Sequence, residues 1–576
     1  MKANKYISAI LLITVVLFAN ILSSFINWDV DLTADKKYSF AKESTAIINS
    51  LEDKLFIKVY LEGDFPAEFK KLQKATENLI RRFKLISNQN IDFEFINPNA
   101  IVSDNEKLDL FKQLVKLKLT PTDLEINKNG KQVNQIIFPG AIIYYKEKQV
   151  AVNFLKQKAG ESPGSNINTS IEALEYEFIS TIEHLTRNKL DKIAFLEGNG
   201  ELNKNQVYDL TNSVLDDNFN LSYFYKVDRF NIKEFTIDST AMLPNLSRQS
   251  ALLNSYKAII IAKPTIAFNN LDKLLIDQYI MKGGRVLWLV DGVNANMDSL
   301  QTKSGTFIAT KNALNIDDQL LKYGIRINAN LIEDLRSTKI PVITGYSNNK
   351  PQQSYFNWPY FPLLVSESKH TISKDLDGIK CEFVSSIDTI HNSTNKTILL
   401  NSSKQSRLNL APAKISLGIL ENPPSVESYN KEYLPIAVLL EGEFESVFKG
   451  KLIPKNNQIE FIEKSVNTKM IIVSDGDMIA NNVSSSGTIF PLAYDPNIKY
   501  TYPGNKLFLI NAIQYLCGDD GLSHLRVKEL SLRMLDSKKI KKNKFIIQLI
   551  NIVLPILLLL LFALIFVRYK KRKYNS

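Results

Sequence analysis

The chain has 576 residues, 45% of them apolar and 23% charged, a globular composition with length for several domains of roughly 100–200 residues each. Its formal net charge of +11 points at first to nucleic acid, but ten of the 71 Lys and Arg lie from Ser537 onward with no acidic residue among them, leaving 61 basic against 60 acidic side chains elsewhere. The excess therefore belongs to one terminal segment, and a nucleic-acid-binding body is excluded.

In chain order, the first feature is the uncharged apolar run Tyr6–Ile26, which meets the roughly 20 residues a helix needs to cross a bilayer. It ends without a small-x-small pair or a Cys for lipid attachment, so residues 1–26 are expected to be an uncleaved anchor. Lys2 and Lys5 before it and Asp29 and Asp31 after it put the N-terminus in the cytoplasm.

Residues 27–190 are expected to form a first α/β domain. After "DLTADKKYSF" come a helix-like stretch and the strand "KLFIKVYLEG". A helix follows Pro66, with Phe69, Leu72, Leu79, Phe83 and Ile86 at near-helical spacing. Then come the strand "IDFEFINP", a helix over Lys107–Leu117 and "IIFPGAIIYYKEKQVAVNFL", whose two β-rich runs flank Lys146, Glu147 and Lys148 as a hairpin. Thr169–Arg187 closes the unit as a helix. This order is compatible with a thioredoxin-like layer that lacks the redox cysteines, a structural or binding domain and not a catalytic one.

Residues 191–536 are expected to form a second α/β domain. "KIAFLEG", "LSYFYKV", "YKAIIIAKP", "RVLWLVDG" and "TKMIIVSDGDMIANN" supply strands; Asn203–Leu215, Asn269–Met281 and "KLFLINAIQYL" supply helices. Continuous apolar strands alternating with helices predict a doubly wound, Rossmann- or flavodoxin-like parallel sheet. A β-rich insertion interrupts it over about 297–463, with strand signals in "KTILL", "PIAVLLEGEF" and "SVFKGKLI". Inside the insertion, "QQSYFNWPYFPLL" has two readings: an irregular loop that buries its aromatics on the sheet, which is preferred, or an exposed set in which Tyr355, Trp358 and Tyr360 meet a partner or sugar.

The chain closes, over 537–576, with a basic linker, a second apolar run at Phe545–Val567 and the basic tail "RYKKRK". Two spans leave both termini in the cytoplasm and the body outside. The run "KKIKKNK" then falls on the outer side, where a solvated linker near headgroups is the preferred reading. Cys381 and Cys517 form neither a disulfide framework nor a CxxC pair, and His184, His370, His391 and His524 show no ligand spacing. No cofactor, metal or catalytic residue is assigned.

"DLTADKKYSF" after a first span, "SDGDMIANN", "YPGNKLFLINAIQYLCGDDGLSHLRVKEL" and a last span resemble the auxiliary, substrate-binding-type component of gliding-motility ABC transporters, the GldG family. "NWPYFPLL", "SSIDTI", "TILLNSS" and "IAVLLEGEFESVF" are similar to that branch in particular. The resemblance implies a two-span subunit of the bacterial inner membrane with a large periplasmic body, working beside a separate permease and a separate ATPase. Related auxiliary domains are found in other ABC systems and in an intraflagellar-transport protein. A transported substrate does not follow from the label.

The glycine loop in "FLEGNGEL" is a poor phosphate cradle. A dinucleotide fingerprint would need glycine at Asn203, no Walker lysine follows Gly200, and Glu201 would meet an incoming phosphate with like charge. Related sequences carry histidine where this chain has Asn199, so a role for that imidazole does not transfer. Glu197, Asn199, Glu201, Asp291, Asp475 and Asp477 all follow expected strands and are the candidate binding edge. Such carboxylates can gather a hard cation, or simply make Asp-Gly turns and cap helices; the second reading is preferred. Two function classes follow: a non-enzymatic transporter auxiliary, and an envelope hydrolase using the carboxylate edge, which no GxSxG elbow or histidine set supports.

Overall fold

The computed structural model describes residues 40–574, except 129–130, 157–161, 188, 216–217, 236–244, 302–304, 348–349, 375, 452–458, 520, 522–524 and 526–536. The first apolar run, Tyr6–Ile26, and "DLTADKKYS" lie outside the described residues. The chain is mixed α/β and divides after Glu529 into two compact units.

The N-terminal part of the first unit is built on β1 (Leu55–Val59), β2 (Ile91–Phe95), β5 (Gly140–Tyr145) and β6 (Lys148–Asn153), in the order β2-β1-β5-β6. β1 and β2 are parallel; β1 with β5 and β5 with β6 are antiparallel. The expected hairpin is present, its two-residue turn opened by Lys146 at φ 53°. A second hairpin joins β3 (Thr122–Lys128) and β4 (Lys131–Ile137). Helices α1 (Lys42–Asn49), α2 (Ala67–Ile86), α3 (Asp104–Lys116) and α4 (Pro163–Thr186) accompany the sheet. α2 turns Leu72, Thr76, Ile80 and Phe83 inward, and Phe83 meets Phe178 of α4 edge-on at 6.3 Å.

A seven-stranded sheet follows, containing β7 (Lys192–Glu197), β8 (Lys226–Asn231), β9 (Ala258–Ala262), β10 (Arg285–Leu289), β19 (Asn395–Asn401), β22 (Pro435–Gly442) and β23 (Thr468–Val473). Its order is β19-β22-β23-β10-β9-β7-β8. The five strands from β23 to β8 are parallel, so their carboxyl ends share one edge. Every residue of β9 is buried, which accounts for its unbroken apolar run. This region also holds α5 (Tyr208–Asn212), α6 (Leu246–Leu253) and α7 (Asn270–Met281). A reciprocal cap between Asn269 and Asp272 starts α7.

Two local expectations fail here. The stretch Asn203–Leu215 is a 3-10 turn at Asn205–Val207 followed by the short α5, which stops at Ser213 with φ 65°. "LSYFYKV" begins as one turn of helix, Leu221–Phe224, because Asn220 accepts a hydrogen bond from the Tyr223 N–H; the strand starts only at Lys226.

The insertion is not a separate lobe throughout. β22 and β19 come from it and add an antiparallel edge to the main sheet, and β19 carries register shifts at Ile398/Leu400 and Leu400/Asn401. The rest makes small sheets. β11 (Val293–Asn294) and β21 (Ala413–Ser416) flank β12 (Thr306–Lys311), while β13 (Ile325–Ile327) pairs with β18 (Ile387–Thr389) and β14 (Asn330–Asp334) with β20 (Ser406–Leu410). A short helix, α8 (Asp317–Tyr323), precedes β13. The aromatic stretch is no loop but most of β16 (Lys350–Val365), a 16-residue strand between β15 (Ser337–Ser347) and β17 (Asp377–Lys380). "SVFKGKLI" turns at Ser446–Lys451 instead of forming a strand, and its end lies outside the described residues. α9 (Pro503–Cys517) closes the unit.

Among its described residues the second unit contains one helix, α10 (Ser537–Tyr574), with Pro555 inside it. Its segment Asn551–Lys570 has a mean hydropathy of 2.7 and is long and apolar enough to cross a membrane.

Candidate carboxylate edge

The carboxyl ends of β9, β10 and β23 deliver four charged residues to the same place. β9 runs straight into Lys263, held at φ 53° before Pro264, a left-handed conformation that an L residue keeps only when its surroundings impose it. β10 delivers Asp291 and β23 delivers Asp475 and Asp477. Carboxylate oxygens of the three aspartates lie within 4.8 Å of one another.

The cluster already contains a cation. The Lys263 ammonium is paired with Asp477 and lies 3.8 Å from Asp291 Oδ2. Backbone donors take much of the rest. Asp475 accepts from the N–H groups of Glu382 (2.9 Å), Asp477 (2.8 Å) and Met478 (3.0 Å), and Asp291 Oδ1 accepts from Gly476 N–H at 2.6 Å. A Cβ on Gly476 would lie 2.6 Å from Lys263 Cγ, so this turn needs glycine for space.

Burial sets the protonation. It pushes Asp477 up to about 7, with Asp291 adding to the rise and Lys263 opposing it. Asp475 is pushed well above the carboxylate range by burial and then by Asp477 and Asp291. Asp291 rises through burial against the pull of Lys263. Burial works against the ammonium of Lys263 too, yet Asp477 and Asp291 outweigh it and raise its pKa. The arrangement is thus a proton-holding staple linking three strand ends to the insertion at Glu382.

The other expected edge residues stand apart from that staple. Glu197 is paired with Arg229 of β8, whose guanidinium also donates to Leu202 O at 2.5 Å. Glu201 accepts the Asn199 N–H at 2.7 Å, and Asn199 O accepts from Thr265 (3.0 Å) and Ile266 (2.9 Å). The glycine loop is therefore folded onto the segment after β9, with Gly200 at φ 73° and no room for a Cβ beside Thr265 Oγ1, 2.2 Å from where it would stand. Burial raises the carboxyl pKa of both Glu201 and Asp272, the latter at the start of α7.

Of the aromatic candidates, Trp358 and Tyr360 are buried, at 0% and 2% exposure, in a core with Phe361 and Phe383. Neither can be a surface contact, because their side chains face that core. Tyr355 is 43% exposed and remains available. Two cavities among the described residues, of about 430 Å³ beside Thr120, Pro139 and Asn153 and about 360 Å³ beside Lys311, Leu321 and Arg326, take in none of the candidate carboxylates.

Sequence reasoning missed Lys263, Asp272 and Lys233, whose ammonium lies 3.7 Å from Asp272 Oδ2. Lys263 carried a usable signal, a charged residue between an apolar strand and a proline. Asp272 carried another, as the third helical residue after an Asn cap.

Two family comparisons match the chain. Residues 190–512 match the family described as an ABC-type uncharacterized transport system, and residues 34–144 match a domain of unknown function. An uncharacterized protein of Borreliella burgdorferi (strain B31) is 20% identical over all of this chain and 99% of its own length. Among solved structures, the mmIFT52 N-terminal domain is similar over 57% of this chain and 97% of that one, at 14% identity and a TM-score of 0.30, a likeness too loose to carry an argument.

Proposed function

Because the chain belongs, through residues 190–512, to the ABC-type uncharacterized transport system family, we propose that it is a non-enzymatic, membrane-anchored auxiliary subunit of an ABC transporter. The observation that carries this reading is the family match over the region of the seven-stranded sheet, on a chain that ends in an apolar helix able to cross a bilayer. In its finer form the body lies in the periplasm between two spans of the inner membrane. A separate permease contacts the spans and recruits the ATPase. The charge asymmetry around Tyr6–Ile26 and the apolar segment Asn551–Lys570 support that topology. The motif order "SDGDMIANN" to "GLSHLRVKEL" and the segment "NWPYFPLL" of β16 support placing the subunit in gliding motility. The strand order β2-β1-β5-β6 favours the thioredoxin-like reading of 27–190. The five parallel strands, 2-1-3-4-5 in chain order, favour the doubly wound reading of 191–536.

The envelope-hydrolase alternative loses ground to Lys263, which neutralises the carboxylates that chemistry would need. The test is to tag the chain at its C-terminus, solubilise native membranes gently and identify what co-purifies. A permease and an ATPase subunit are expected, and their reproducible absence from an intact preparation refutes the proposal.

A further inference from the structure

Two acidic groups stand beyond the carboxyl ends of the parallel strands, and their charges are balanced differently. Around Asp291, Asp475 and Asp477 an ammonium and four backbone N–H groups engage five of the six carboxylate oxygens. Around the loop after β7 the balance is incomplete. Asn199 is fully buried, yet neither Oδ1 nor Nδ2 completes a hydrogen bond. The same holds for the buried Glu201 Oε1 and Asp272 Oδ1.

These atoms belong to one neighbourhood. Glu201 Oε2 accepts the Asn199 N–H at 2.7 Å, and the Asn199 amide lies close enough to Asp272 to stabilise its carboxylate form. Glu197 is occupied by Arg229. Glu201 and Asp272 are left to share Lys233, whose ammonium is 3.7 Å from Asp272 Oδ2, so two carboxyl groups face one ammonium. Each buried polar atom without a partner costs stability, and four in one neighbourhood is a burden a stable fold avoids.

The chemistry of the vacant valences narrows the ligand. Three oxygens seek a positive partner and one amide group seeks an acceptor. A single water offers two protons to three oxygens and leaves one without a partner. A hard divalent cation can draw carboxylate and amide oxygens together at roughly 2.0–2.6 Å and complete its shell with water, one such water accepting from Asn199 Nδ2. We propose that Asn199 Oδ1, Glu201 Oε1 and Asp272 Oδ1 form a binding site for a hard divalent cation of the Mg²⁺ or Ca²⁺ type, tying the glycine loop to the start of α7. This site is independent of the transport reading and distinct from the aspartate cluster, which carries its own cation.

The experiment uses the full chain in detergent, stripped with EDTA and titrated calorimetrically with CaCl2 and, separately, MgCl2. The wild type is expected to bind one equivalent of at least one of them and to gain thermal stability, with affinity falling at least tenfold in Glu201→Gln. A second variant, Asn199→Asp, guards against a folding defect: it should melt lower than wild type in EDTA and recover more than wild type when the cation is added. Absence of both heat and melting shift with either ion in the wild type overturns the proposal. So does binding that survives Glu201→Gln but is lost in Asp477→Asn.

Discussion

Lys263 and Asp477 close an ion pair across the ends of β9 and β23, 214 residues apart in sequence. The pair spans the whole insertion, so the main sheet is fastened on both sides of the excursion.

The cluster makes stability depend on pH. A carboxyl raised on folding contributes stability that is complete below its unfolded pKa and is lost as pH rises through the folded one. For Asp477, raised from 3.8 to about 7, the loss falls between about pH 4 and 7, and Asp291 and Asp475 act in the same direction. The wild type should therefore melt at a lower temperature at pH 8 than at pH 5, by the equivalent of roughly 1–3 kcal/mol, and Asp477→Asn should show less of this dependence. Equal slopes in the two proteins would remove Asp477 as the cause.

Asp475→Ala should cost roughly 2–4 kcal/mol, because three backbone N–H groups lose their acceptor at once. Hydrogen exchange is the sharper readout. The Glu382 amide should exchange faster in the variant while those of β7 and β8 stay protected.

Gly200→Ala should destabilise by roughly 2–4 kcal/mol, combining a left-handed alanine with a collision. Only the collision, with Thr265 Oγ1, is relieved by Thr265→Ala. The double variant should therefore regain part of the lost melting temperature, and full recovery would show that the backbone conformation is unstrained.

The aromatic strand separates packing from contact. Trp358→Ala should cost roughly 3–5 kcal/mol, since the ring is wholly buried. Tyr355→Ala should stay within about 0.5 kcal/mol of wild type in the purified chain. Any effect of Tyr355→Ala on co-purification of other subunits would then report an interface and not a folding defect.

A reporter fused at residue 300 should be active only outside the cytoplasm, and one at the C-terminus only inside. A cytoplasmic signal at residue 300 would remove the periplasmic reading.

Apolar runs such as Ile259–Ile261 and Ile471–Val473 announced buried strands correctly, because burial on both faces leaves no alternation to misread. The sequence could not show that β22 and β19 return to the main sheet, since strand pairing between distant segments has no local signature. Aromatic and β-branched content misled at Leu221–Phe224, where one Asn cap outweighed it. The three aspartates foreseen at strand ends do converge, but the lysine between them comes from a strand end whose neighbour is known only once the order is known. Spacing also could not separate Glu197 and Glu201 from that group: Glu197 ends β7 and Glu201 follows it, with β9 and β10 between β7 and β23.

The register shifts in β19 bear on how such molecules coexist. A flat outer strand offers unpaired amide and carbonyl groups to any neighbouring chain, and anchoring proteins in a shared membrane brings such strands close together. At one side of the seven-stranded sheet, the two shifts between Ile398 and Asn401 break the ladder that a foreign strand would copy. At the other side, β8 carries Lys226, Asp228 and Arg229 within six residues. Both margins discourage an eighth strand, so the sheet presents no ready template to a neighbouring copy.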